Sequence, residues 1–156
     1  MKLAEFLCKK AITVDLQGTT KKEVVQELIG LLADGEAIDK KHKNKIFEGI
    51  MAREQLGSTA IGQGVAIPHA KFEGVDKLTA SLGISKKGVD FDSLDGEPAY
   101  IFFLLVAPMD SAGPHLKALA RISRLLKDKF FRDSLKAAEN AKAVLKLIAL
   151  EDERIG

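Results

Sequence analysis

The segment Ile61-Gly62-Gln63-Gly64-Val65-Ala66-Ile67-Pro68-His69-Ala70 presents one imidazole directly after a short apolar run and a proline. Val65-Ala66-Ile67 reads as a strand that Pro68 stops, so His69 is expected where the strand ends, at a sheet rim. Gly62 and Gly64 let the backbone pass close to something bulky, because neither carries a side chain. A histidine held this way can act as a base, a ligand or a nucleophile. The plain alternative is a ring that is only hydrogen-bonded in the core or at the surface. Two further residues bear on that choice. Arg53 lies sixteen positions before His69, in Arg53-Glu54-Gln55-Leu56-Gly57-Ser58-Thr59, and His115 lies forty-six positions after it, in Gly113-Pro114-His115-Leu116.

If these three residues share a cleft, their types suit phosphoryl transfer. A neutral imidazole is a competent nucleophile near neutral pH, since the reference pKa of histidine is about 6.5. The transition state spreads negative charge over equatorial oxygens, so such a site must supply positive charge and N–H donors. Arg53 offers a planar fork suited to phosphate oxygens, and His115 can donate an N–H to the same oxygens. Ser58 and Thr59 would add hydroxyls from the adjoining loop. Each residue has a bland reading as well. Arg53 could be a helix C-terminal cation, and His115 a ring hydrogen-bonded near a helix cap.

The elements that must position these groups alternate between strand-like and helix-like segments, which predicts an α/β fold. Thr20 to Ala33 reads as a helix, with Thr20 and Glu23 as a capping box, Val24, Leu28, Leu31 and Leu32 as its stripe, and Gly35 past its end. A second helix is expected after Asp39, carrying Ile46, Phe47, Ile50 and Met51 inward and ending at Arg53. Leu78 to Ile84 and Ala99 to Val106 read as strands, the latter apolar enough to lie centrally and closed by Pro108. Gly113-Pro114 opens a helix through Leu126, followed by shorter ones over 128–138 and 140–149. His115 is expected in the first turn of its helix, at the exposed rim of the face carrying Leu119, Ile122 and Leu126. Free N–H groups and the helix dipole favour an anion there.

The Arg-Glu with Gly-Ser-Thr, the Val-Ala-Ile-Pro-His, the Gly-Val-Asp-Phe-Asp-Ser-Leu-Asp-Gly-Glu-Pro of Gly88 to Pro98 and the Gly-Pro-His-Leu occur in this order along the chain. Together they resemble the fructose/mannitol/nitrogen-regulatory type of IIA domain (EIIA type 2) of the bacterial phosphoenolpyruvate-dependent phosphotransferase system (PTS). The resemblance spans Leu3 to about Ile148. It implies a mixed sheet flanked by helices on both faces, and a phosphotransferase component working as a phosphocarrier. It also implies that His69 is the phosphorylated histidine, His115 the second active-site histidine and Arg53 the phosphate-stabilising arginine. The donor it implies is the phosphocarrier protein HPr or its nitrogen-branch relative, charged in turn by enzyme I. Downstream stands a separate IIB domain or a set of regulatory target proteins. Ala60 and Ala70 replace glycines often found at their positions, which bears on loop freedom and rate but removes no chemical group.

Composition narrows the remaining classes. At 156 residues the chain is expected to be one domain, residues 1–156, with a real core. A net charge of +2 is too small to argue for nucleic acid, and the Lys40-Lys41-His42-Lys43 run lacks interleaved aromatics, so it reads as a solvated helix face. Gly62 and Gly64 make no dinucleotide fingerprint, because a strand follows them. One cysteine, Cys8, excludes an internal disulfide and suits a reducing cytoplasm; it reads as a packed thiol in an amphipathic N-terminal segment. No apolar run is long enough to cross a bilayer, and the N-terminus does not read as a signal peptide. No metal or other cofactor is needed when donor and acceptor are both histidines, and two histidines alone make a poor zinc site. The expectation is a cytoplasmic, stand-alone regulatory IIA of the nitrogen branch. The alternatives are a fructose/mannitol-type IIA feeding a separate IIB, or a non-catalytic protein-interaction module.

Overall fold

The apolar run from Ala99 to Ala107 is the central strand, and the fold is arranged around its two faces. In the computed structural model, which describes residues 1–156, β1 (Leu7–Thr13) is followed by α1 (Lys21–Asp34) and α2 (Lys43–Gln55). Three short strands come next: β2 (Ala60–Gly62), β3 (Val65–Ala66) and β4 (His69–Lys71). The long strands β5 (Thr79–Val89) and β6 (Ala99–Ala107) precede α3 (Ala112–Leu125), α4 (Lys129–Ala137) and α5 (Ala141–Ile155). The sheet runs in the order β1-β5-β6-β3-β2, with β4 also on β6. It is mixed: β1 is parallel to β5, β6 is antiparallel to β5, and both β3 and β4 run parallel to β6.

Side chains along β6 alternate between two cores. Ile101, Phe103 and Leu105 join α3, α4 and α5 on one face, whereas Phe102, Leu104 and Val106 join α1 and α2 on the other. A strand apolar on both faces needs a helical layer on each, and each large side chain so buried contributes about 1.5–3 kcal/mol through removal from water. The sequence expectation of a central strand under helices on both faces therefore holds.

Helix starts follow their caps. The Thr20 hydroxyl accepts from Glu23 N at 3.2 Å, the Asp128 carboxylate from Phe130 N at 3.1 Å, and the Asn140 amide oxygen from Ala143 N at 2.8 Å. The expected capping box is displaced by one residue. Glu23 reaches back to Thr19, accepting from its N–H at 2.9 Å and from its hydroxyl. Gly35 also differs from expectation, since its φ of −81° is not left-handed, and Glu36 takes that role at φ 61°. Gly35 is small because β1 passes close: a Cβ there would lie 3.0 Å from Cys8 Sγ. Cys8 thus sits in edge strand β1, half-buried beside the α1–α2 core, where an amphipathic N-terminal segment was expected.

Two elements run longer than their sequence pattern. The strand expected over 78–84 continues to Val89, where it still pairs with Ala99 of β6. The last helix, expected to stop at Ala149, continues to Ile155. Its charged end is supported from outside: Asp152 accepts from Arg121 at 2.8 Å and from the N–H groups of Leu3 and Ala4. The side chains of 151–154 look like a solvent-exposed stop only until those partners are known.

Candidate functional site

The last turn of α2 sends adjacent residues in opposite directions. Arg53 is half-buried and its Nη1 donates to Gly57 O at 2.9 Å. Glu54 points inward and is 6% exposed; it accepts from Thr59 N at 3.1 Å and from the Thr59 hydroxyl, and pairs with Lys21 Nζ at 3.0 Å. Ser58 donates its hydroxyl to Phe91 O at 2.5 Å and accepts from Ala60 N. Both hydroxyl protons of the Ser58-Thr59 pair are therefore committed inside the protein. Where the sequence suggested phosphate contacts, these side chains hold the loop.

The hairpin between β2 and β3 turns at Gly62-Gln63-Gly64, all three with positive φ. The bulky neighbours anticipated there are Asp95 and Tyr100: Cβ atoms on Gly62 and Gly64 would meet them at 3.1 and 3.3 Å. Beyond Ile67 the structure departs from a strand ending at a rim. Pro68 interrupts the strand without stopping it, because Pro68 O still accepts from Leu105 N at 2.9 Å and pairing with β6 resumes at His69 opposite Leu105. Only the donor that proline lacks is missing from the ladder.

His69 is aimed by this interruption. Ala70 faces α2, where a Cβ placed on Gly49 would lie 3.7 Å from it, so strand alternation turns His69 toward α3. Its Nδ1 lies 2.7 Å from Ile67 O. A carbonyl can only accept, so Nδ1 carries the proton and Nε2 keeps its lone pair. His115 approaches edge-on, with ring centroids 5.3 Å apart and planes at 74°. It is only 7% exposed, not at an exposed rim, because the α3 face bearing Ala118 and Ile122 packs directly on the sheet. Its Nδ1 is buried without a hydrogen-bond partner.

Electrostatics keep both rings neutral. Burial pushes the His69 pKa below its ordinary value; the Ile67 carbonyl and the Glu54 charge oppose this, and the Arg53 charge adds to it. His115 is pushed down to about 4 by burial first, then by the charges of His69 and Lys71. The result is a neutral imidazole with one nitrogen unoccupied, facing a second imidazole next to an arginine and to the N-terminal end of α3, an arrangement chemically suited to an incoming phosphoryl group. No group of three or more His, Cys, Asp or Glu side chains is placed to hold a metal ion.

Residues 5–150 match the family model described as "Phosphoenolpyruvate-dependent sugar phosphotransferase system, EIIA 2". The chain belongs to this family. It is 37% identical over 150 residues to a nitrogen regulatory protein of Bradyrhizobium diazoefficiens, covering 96% of each chain. It is also 37% identical over 153 residues to the fructose-specific EIIABC component of Bacillus subtilis, covering 98% of this chain and 24% of that longer protein. The crystal structure of nitrogen regulatory protein IIA-Ntr from Neisseria meningitidis superposes with a TM-score of 0.84 at 33% identity, over 94% of this chain and 98% of that one. This EIIA domain is accordingly a phosphotransfer component of the PTS, a phosphocarrier. No helix in it is long and apolar enough to cross a membrane.

Three residues of the site were not singled out from the sequence: Glu54, Lys21 and Lys71. Glu54 carried a signal, as the partner of Arg53 in the Arg-Glu pair. Lys21 and Lys71 carried none, since a lysine in a first helical turn or after a strand residue is ordinary.

Proposed function

We propose that the protein takes a phosphoryl group onto Nε2 of His69 from the phosphohistidine of an HPr-type carrier. The lone pair on Nε2 attacks phosphorus while the donor's P–N bond breaks, and the electron pair of that bond returns to the donor imidazole. The donor ring carries a proton on its other nitrogen and so departs as neutral imidazole, while His69 keeps its Nδ1 proton on Ile67 O and takes up the positive ring charge that phosphorylation of Nε2 confers. Arg53 then neutralises charge on the phosphoryl oxygens, neutral His115 donates an N–H to them, and Ser58 and Thr59 support the loop behind them. The observation carrying this reading is the 2.7 Å Nδ1 contact to Ile67 O, which frees the other nitrogen beside His115. Exposed Leu56, Met109 and Leu116, on segments adjoining Arg53 and His115, offer apolar surface for a docking partner.

We read the chain as a regulatory IIA of the nitrogen branch, acting in the cytoplasm as one domain, whose phosphorylation state is read by other proteins. The near-complete mutual coverage with the Bradyrhizobium nitrogen regulatory protein supports this. The equal identity to the Bacillus fructose component keeps a second reading, in which phosphate passes on to a separate IIB. Intact-protein mass after incubation with phosphoenolpyruvate, enzyme I and HPr tests the shared step. Wild type should gain one acid-labile phosphoryl group and His69→Ala none. No gain, with phosphorylated HPr verified and the nitrogen-branch carrier also tried, would leave a protein-interaction module in its place.

A further inference from the structure

The buried carboxylate of Glu54 calls for an explanation that phosphate chemistry does not supply. A negative charge near a phosphoryl acceptor opposes the product, yet Glu54 is 6% exposed and lies one residue from Arg53. Its contacts form one continuous path to the reactive ring. Lys21 Nζ, from the first turn of α1, pairs with Glu54 at 3.0 Å; Glu54 accepts from the N–H and hydroxyl of Thr59. Thr59 O accepts from Ile67 N at 3.0 Å, and Ile67 O accepts from His69 Nδ1 at 2.7 Å. Lys21 is fixed from the other side as well, by Asp92 at 3.0 Å and by the ring of Phe91, whose centroid lies 4.8 Å away. The Phe91 carbonyl in turn holds Ser58.

We propose that Glu54 and Lys21 are positioning residues of the phosphoryl-transfer site, the carboxylate anchoring Thr59 and hence His69, and the ammonium cancelling the charge that anchoring introduces. This rests on His69 being the acceptor. Hydrogen bonds to a charged acceptor are about twice as strong as neutral ones, so a carboxylate fixes Thr59 more firmly than an amide would. The same charge, left unpaired, would stabilise the imidazolium of His69 and repel a phosphoryl dianion. A cation is therefore required where Lys21 stands. The Glu54 charge is indeed felt at the His69 ring, which it biases toward protonation.

The test compares Lys21→Met, Lys21→Arg, Glu54→Gln and the Lys21→Met/Glu54→Gln double variant. Two quantities are read: the His69 pKa by ring NMR titration, and the rate of phosphoryl acceptance from phosphorylated HPr. Lys21→Met should raise the His69 pKa by about half a unit or more and slow acceptance about tenfold at saturating donor, with little change in KM. Glu54→Gln should move the pKa the other way. The double variant should return the titration toward wild type, and Lys21→Arg should keep both properties. Wild-type titration and rate in both Lys21→Met and Glu54→Gln would overturn the proposal. So would slower acceptance that tracks thermal stability with His69 titrating as in wild type, because that is scaffolding alone. Should Lys21→Met not fold, Glu54→Gln and Lys21→Arg still decide the point. If wild type accepts no phosphate, the functional reading fails, while the opposed titration shifts still test the coupling.

Discussion

Protonating His115 should destabilise the fold, and the size of the effect follows from its surroundings. The ring is 7% exposed, its Nδ1 has no partner, and its pKa is pushed down to about 4 from an ordinary value near 6.5. The sign is set by proton binding. Between these two values the unfolded chain holds the proton and the folded chain does not, so acid favours unfolding. The contribution is fully present above the unfolded pKa, declines as pH falls below it, and is gone below the folded value. The slope in that window is at most about 1.4 kcal/mol per pH unit, which sums to a ceiling of about 3 kcal/mol. His69 pushes the same way, since burial lowers its pKa too and any charge on it further disfavours protonation of His115. Urea denaturation at several pH values between 7 and 4 measures this, with wild type compared with His115→Asn. Carboxylates common to both proteins cancel in the difference, leaving the His115 contribution. The wild-type curve should fall more steeply by about 2–3 kcal/mol across the window. Curves that stay parallel throughout would refute the reasoning, because a neutral buried ring could not then be what the fold requires.

Other consequences are accessible to simpler assays. Arg53→Lys should slow phosphoryl acceptance about 10–100-fold, the equivalent of losing one charge-assisted hydrogen bond, while melting stays near wild type; an unchanged rate would remove Arg53 from the site. Because the His69 pKa lies below its ordinary value, its neutral fraction, and with it the acceptance rate from a fixed amount of phosphorylated donor, should fall by less than half as pH drops from 7.5 to 6.5. A rate halving near pH 6.5, with the donor controlled, would count against a depressed pKa. Asp152→Ala should cost about 3–5 kcal/mol, since it strands buried Arg121 and two N–H groups of the N-terminus. Asn140→Ala should cost about 1 kcal/mol in chemical denaturation by removing the α5 cap.

Much of the architecture is legible locally. Thr20, Asp128 and Asn140 announce helices because a cap is a contact with residues two or three positions away. The run 99–107 announces a central strand because its every side chain must leave water, whichever face it takes. The identities of Arg53, His69 and His115 are compatible with phosphoryl chemistry, since nucleophilicity and charge belong to the residue type, but it is the family resemblance of the segments around them that sets this reading above the bland ones. Other features lie beyond any local window. The continuation of α5 to Ile155 depends on Arg121 and the N-terminus, and the resumption of pairing after Pro68 depends on β6.

The sequence by itself determined the candidate reactive groups, their order and the helix and strand signals, all of which depend on side-chain type or near neighbours. Only the tertiary structure decided that Thr59 serves Glu54, that His115 is buried, and that Ile67 O holds Nδ1 of His69 so that Nε2 is free. Lys21 and Glu54 are thirty-three positions apart, and Glu54 and His69 fifteen. Desolvation and long-range hydrogen bonding exist only once the layers have packed, and those two effects set charge state and tautomer.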